Sequence, residues 1–155
     1  MKRSLLIIIA LIFTFNLITL AQQPKSQNSG IQIQKGWARP AVKYSNSALY
    51  FVIENRGNKI DTLIGAQSKV AEETEVHESF KKDNDRMGMR PAGKIAIKPK
   101  SEFEFKPGGF HVMLLGVLKD LNIGDKIEAV LLFKYAGKIK VKAEVLDMPM
   151  TKEMK

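Results

Sequence analysis

The chain holds only two histidines, His77 and His111, and apart from Met1 its methionines fall in two places. Met87, Met89 and Met113 lie close to the histidines in sequence, while Met148, Met150 and Met154 lie at the C-terminal end. His111 and Met113 are separated by one residue within FHVMLLGV. In a strand, residues i and i+2 project from the same face, so both side chains should address one spot. The preceding Pro107-Gly108-Gly109 predicts a turn that sets the pair at the start of its strand, near a rim where an ion can enter. His77 stands in a second extended segment, EVHESF, and Met87 and Met89 follow it beyond a charged stretch.

Two imidazoles with one or two thioethers form a soft, neutral donor set. Such a set suits Cu(I), whose polarisable d¹⁰ shell favours thioether sulfur, whereas zinc prefers thiolate, imidazole or carboxylate. With no charged ligand the site keeps the single positive charge of Cu(I), which disfavours oxidation to Cu(II) and suits transfer rather than catalysis. Taken singly, Met113 would serve as a core side chain, Met87 or Met89 as a loop gap-filler and each histidine as a hydrogen-bonded surface imidazole. Their grouping around one sheet edge is what points to a common site.

The elements that must position these residues read as β throughout. Beyond residue 30 the chain shows alternation and β-branched or aromatic enrichment in short runs bounded by Gly, Pro, Asn and Asp. Nine strands are predicted: Ile31–Ala38, Ala48–Glu54, Thr62–Gln67, Thr74–Phe80, Lys94–Ile97, Glu102–Phe105, His111–Leu115, Ile127–Tyr135 and Lys138–Val145. Their number and the turn chemistry between them predict an all-β sandwich or barrel. The segment KKDNDRMGMR, residues 81–90, interrupts the pattern and is expected to be a charged, turn-rich loop carrying Met87 and Met89. Trp37, Arg39 and Pro40 read as parts of the fold, with the Trp37 ring buried in the sandwich and its N–H bonded, and Pro40 ending the first strand.

A length of 155 residues suits one domain. Lys2 and Arg3 ahead of the apolar run Leu5–Leu20, with small residues after it, predict a signal peptide over residues 1–21 and export. Residues 22–30, QQPKSQNSG, have no apolar residue and read as a flexible lead-in, leaving residues 31–146 as the folded domain. Residues 147–155 read as a mobile end of the last strand rather than a second thioether site. No cysteine occurs. The domain must therefore rely on its core rather than on disulfides, and thiol enzymes, blue-copper sites and a cysteine-linked lipid are excluded, so the mature protein is expected to be soluble, without stable membrane insertion. The formal charge of +9 comes from scattered lysines and reads as a solvated surface, with no nucleic-acid partner. No nucleophile–base pair, paired-carboxylate motif or phosphate-cradling loop is present, so no enzymatic activity is expected.

With those residues in place, the chain resembles the PCu(A)C family of periplasmic copper chaperones (DUF461-like). The shared signature is a His, often followed by Met, then a Met, then a His-x-Met pair. Here it runs as His77, eleven residues, Met89, twenty-one residues, and His111-Val-Met113. The segments GWARP (36–40), ALYFVIENRG (48–57), EVHES, MRP (89–91) and KPGGFHVMLLGV (106–117) carry the likeness over nearly all of residues 31–145. One departure is Glu78, where relatives often have Met; in an extended segment it faces away from His77, and Met87 offers an alternative sulfur.

The resemblance implies a cupredoxin-like Greek-key β-sandwich that binds Cu(I) in the periplasm through His77, Met89, His111 and Met113. It further implies a monomer that passes copper to the binuclear copper subunit of cytochrome c oxidase or to a thiol-containing copper chaperone. A copper buffer or resistance protein with the same site, and a structural or interaction β-sandwich, are the alternative readings.

Overall fold

A computed structural model describes residues 30–82 and 86–147. The expected signal peptide, most of the lead-in and the tail methionines Met148, Met150 and Met154 lie outside the described residues. Ten strands form: β1 (Ile31–Ala38), β2 (Ser47–Asn55), β3 (Asp61–Ser68), β4 (Ala71–Lys81), β5 (Met87–Pro91), β6 (Ile95–Ile97), β7 (Ser101–Phe105), β8 (Phe110–Val117), β9 (Lys126–Phe133) and β10 (Gly137–Val145). There is no helix among the described residues.

The strands follow the order β5-β4-β8-β2-β1-β10-β9-β3-β6, with β7 also paired to β2. One layer is β5, β4, β8, β2 and β7, and the other is β10, β9, β3 and β6. β1 joins them, antiparallel to β2 along its length and parallel to β10 through Trp37 and Ala38. A single apolar cluster fills the space between the layers. It draws Leu49, Phe51 and Ile53 from β2, Val112 and Leu114 from β8, Ile127, Ala129, Leu131 and Phe133 from β9, and Val141, Ala143 and Val145 from β10. These positions alternate along their strands, which is the period a sheet with one core face requires.

The structure departs from the sequence reading in two places. The first is β5. Met87–Pro91 is a strand, not part of a loop, antiparallel to β4 with Ser79 opposite Met89 and His77 opposite Pro91. Its sequence, MGMRP, lacks the β-branched residues that signal a strand; pairing with the edge of β4 supplies the backbone hydrogen bonds that propensity does not. Interactions on its other face hold it in place. The Arg90 guanidinium donates to Glu78 Oε2 at 2.8 and 3.1 Å and lies 4.9 Å from the Phe80 ring. Gly88 leaves room for that ring, since a Cβ there would come 2.9 Å from Phe80 Cζ.

The second concerns Trp37. Strict alternation from Ile31 and Ile33 turns Trp37 into the core, but a β-bulge between Gln34 and Trp37 shifts the register by one residue. One extra residue exchanges the two faces. Ala38 then enters the core, fully buried, while Trp37 pairs with Tyr50 and stacks on its ring at 4.4 Å, only half-buried. Gly36 makes the bulge possible, because a Cβ there would meet the Lys142 carbonyl oxygen at 2.3 Å.

Candidate metal centre

On β8, Val112 and Leu114 point into the core, so His111 and Met113 occupy the opposite, outer face. β4 lies antiparallel beside β8 with His77 directly opposite His111 and Glu75 opposite Met113. Directly opposed residues share a face. The outer face therefore carries a row running from Pro91 on β5 through His77, His111 and Tyr50 to Trp37, flanked on one side by Met89 and Ser79 and on the other by Glu75, Met113 and Ala48. The two imidazole centroids are 6.0 Å apart with their planes inclined at 61°. At metal–imidazole bonds of about 2 Å, a single ion fits between two rings at that separation.

Each ring is fixed by one neighbour. His111 is 3% exposed, and its Nδ1 lies 3.0 Å from the Gly109 carbonyl oxygen. A carbonyl only accepts, so Nδ1 carries the proton and Nε2 keeps its lone pair. The same carbonyl accepts the Ser79 backbone N–H at 3.0 Å, tying the turn to β4. That turn is Pro107-Gly108-Gly109, in which Gly108 takes a φ of 76°, a left-handed conformation that glycine adopts without strain. Burial pushes the His111 pKa below the ordinary imidazole value; the hydrogen bond to Gly109 works the other way, and the nearby His77 adds to the lowering.

His77 is held differently. Its Nε2 is 2.6 Å from Glu75 Oε2, and its Nδ1 is buried with no hydrogen-bond partner. A buried nitrogen left unpaired costs about 1–3 kcal/mol, so an orphan of this kind marks a place where a further partner belongs.

Met89, His111 and Met113 line an open cleft of about 400 Å³, together with Tyr50, Arg39 and Pro107. His77 stands beside His111 rather than on the cleft wall. Met89 and Met87 are 60% and 58% exposed, though Met87 does not line the cleft, whereas Met113 is half-buried. Tyr50 is buried, which raises the pKa of its phenol, with the adjacent Arg39 guanidinium opposing the rise. Among the described residues, no group of three or more His, Cys, Asp or Glu side chains is placed to hold a metal ion. The donors gathered here are two imidazoles and thioethers, a set that fits a soft monovalent ion better than a hard one.

All four residues expected from the sequence thus reach one face of one layer, from three strands. Sequence reasoning missed Glu75, Tyr50 and the outward turn of Trp37. Glu75 was open to the i, i+2 rule that joined His111 to Met113, since it precedes His77 by two residues. Tyr50 and Trp37 depend on strand register, for which the sequence carries no local signal.

Comparison with known proteins agrees with this architecture. Residues 31–145 match the family described as "Putative lipoprotein LpqE-like". The chain is 29% identical over 127 residues to "Putative lipoprotein Lxx21020" of Leifsonia xyli subsp. xyli, covering 82% of this chain and 76% of that protein. It is also 29% identical over 109 residues to protein RP573 of Rickettsia prowazekii, covering 68% and 60%. Among solved structures, the copper-bound PCuAC domain from PmoF2 aligns with a TM-score of 0.62 at 26% identity, over 76% of this chain and 92% of that one. The apo PCuAC domain from PmoF1 aligns at 0.64 and 26%, over 77% and 95%. The Cu(I) form of DR1885 from Deinococcus radiodurans shares the fold, with a TM-score of 0.55 at 21% identity over 81% and 85%. Fold and sequence together define a cupredoxin-like β-sandwich of the PCuAC class. The chain belongs to the LpqE-like family.

Proposed function

We propose that this protein is an exported Cu(I) metallochaperone that holds one ion on His77, Met89, His111 and Met113 and hands it to an acceptor protein. The reading rests above all on the two imidazoles: 6.0 Å apart, each has one nitrogen engaged by an acceptor, which leaves the other as a lone pair. That is the state a metal ligand must be in before the metal arrives. The thioethers of Met89 and Met113 complete a neutral set, and the exposure of Met89 favours quick release. The copper-bound PmoF2 domain supports the choice of metal.

In this reading residues 1–21 direct export to the periplasm and residues 31–146 act there. The protein carries out no chemical conversion, and the acceptor is the copper subunit of cytochrome c oxidase or a thiol-containing chaperone that serves it. Anaerobic Cu(I) titration against a competing chelator tests the site. One ion per chain is expected, falling to none when His111→Ala is combined with Met113→Ala; an unchanged stoichiometry in that variant overturns the assignment. Delivery is tested in a deletion strain under copper limitation, where oxidase assembly should fail. Copper sensitivity with a normal oxidase would instead mark a buffer.

A further inference from the structure

Glu75 and His77 stand two residues apart on β4 and share its outer face, opposite Met113 and His111. The Glu75 carboxylate reaches the His77 ring at 2.6 Å, on Nε2. An ionised carboxylate has only acceptor sites, so the ring must present Nε2–H to it, and the lone pair is confined to Nδ1. That nitrogen is the one buried without a partner. His111 is fixed in the opposite sense, with Nδ1 donating to Gly109 and Nε2 left free. The two rings therefore leave different nitrogens as lone pairs, and for His77 the choice is made by a side chain rather than by backbone.

We propose that Glu75 is the positioning residue of this site: it locks His77 in the Nε2–H tautomer, so that Nδ1 is the coordinating atom, and its charge offsets that of the bound cation. The inference rests on the copper reading given above. A carboxylate behind a ligating imidazole raises the basicity of the ring and fixes its orientation, and loss of such a partner typically weakens metal binding about ten- to a hundredfold. The Glu75 side chain is 44% exposed, so its replacement leaves no cavity in the core.

Long-range ¹H–¹⁵N spectra of the apo protein, taken where imidazoles are neutral, report the tautomer directly. The wild type should show His77 as Nε2–H and His111 as Nδ1–H. Glu75→Ala should leave His77 a mixture of tautomers and weaken Cu(I) about ten- to a hundredfold in chelator competition. Glu73→Ala, on the same face two residues further away, should change neither. Cu(I) loading of the wild type should move the His77 Nδ1 resonance. The inference is overturned by an unchanged His77 tautomer in Glu75→Ala, by coordination through Nε2, or by equal Cu(I) affinity in wild type and Glu75→Ala. A wild type that takes up no Cu(I) while showing the expected apo tautomers overturns the copper reading itself, and with it the role of Glu75 at a metal.

Discussion

His111 is the most constrained of the candidate ligands, and its environment sets how the protein should respond to acid. Burial lowers its pKa in the folded state, while in the unfolded chain an ordinary imidazole titrates near ~6.5. As pH falls through that value the unfolded chain takes up a proton that the folded chain refuses, so unfolding becomes easier. The stability linked to this group is present above the unfolded pKa and is lost as pH falls towards the folded one. The melting temperature of the apo protein should therefore decline between about pH 7 and pH 5, and the slope should be shallower in His111→Gln; calorimetry over a pH series checks both. Copper affinity should fall over the same acid range, because protons compete for the same lone pairs. A flat affinity would remove the histidines from the ligand set.

At the scale of elements, β5 and the β1 bulge place side chains that their local sequences would send elsewhere. β5 is an edge strand held by Arg90, Glu78 and Phe80, and it carries Met89 to the cleft. Gly88→Val would force a branched side chain against Phe80 and the end of Lys82. It should loosen β5 and weaken Cu(I) binding while leaving the core intact: amide exchange should quicken on Met87–Pro91, with little change in the core strands. The bulge is less forgiving. Gly36→Ala drives a methyl into the Lys142 carbonyl, a backbone atom that cannot swing aside, and should cost about 1–3 kcal/mol in urea unfolding. It should also disturb the Trp37–Tyr50 stack, which near-UV circular dichroism would report.

For the whole molecule, one core carries the stability, with no cysteine available to staple it. Leu49 lies at its centre, fully buried on the strand that pairs with β1, β7 and β8. Leu49→Ala should destabilise the fold by about 2–5 kcal/mol. Copper should act in the opposite direction. The proposed ligands come from β4, β5 and β8, so an ion bound only by the folded state raises stability by mass action, by about 2.7 kcal/mol at a free concentration a hundred times the dissociation constant. A melting temperature that does not move on anaerobic Cu(I) loading would show that the ion does not join these strands.

The sequence by itself determined the β class, the boundaries of most strands and the pairing of His111 with Met113, because a period of two along one strand is a local property. The same rule reached Glu75 in principle. It could not show that His77 lies directly across from His111, thirty-four positions away, since the register between β4 and β8 is decided by how both strands bury Val76, Val112 and Leu114 in a common core. Nor could it show β5, whose strand conformation is conferred by the edge it pairs with, or the outward turn of Trp37, which a single inserted residue reverses. Which nitrogen each histidine leaves free was decided only by the tertiary structure, because the acceptors that fix them, the Gly109 carbonyl and the Glu75 carboxylate, act through distances that only the folded chain defines.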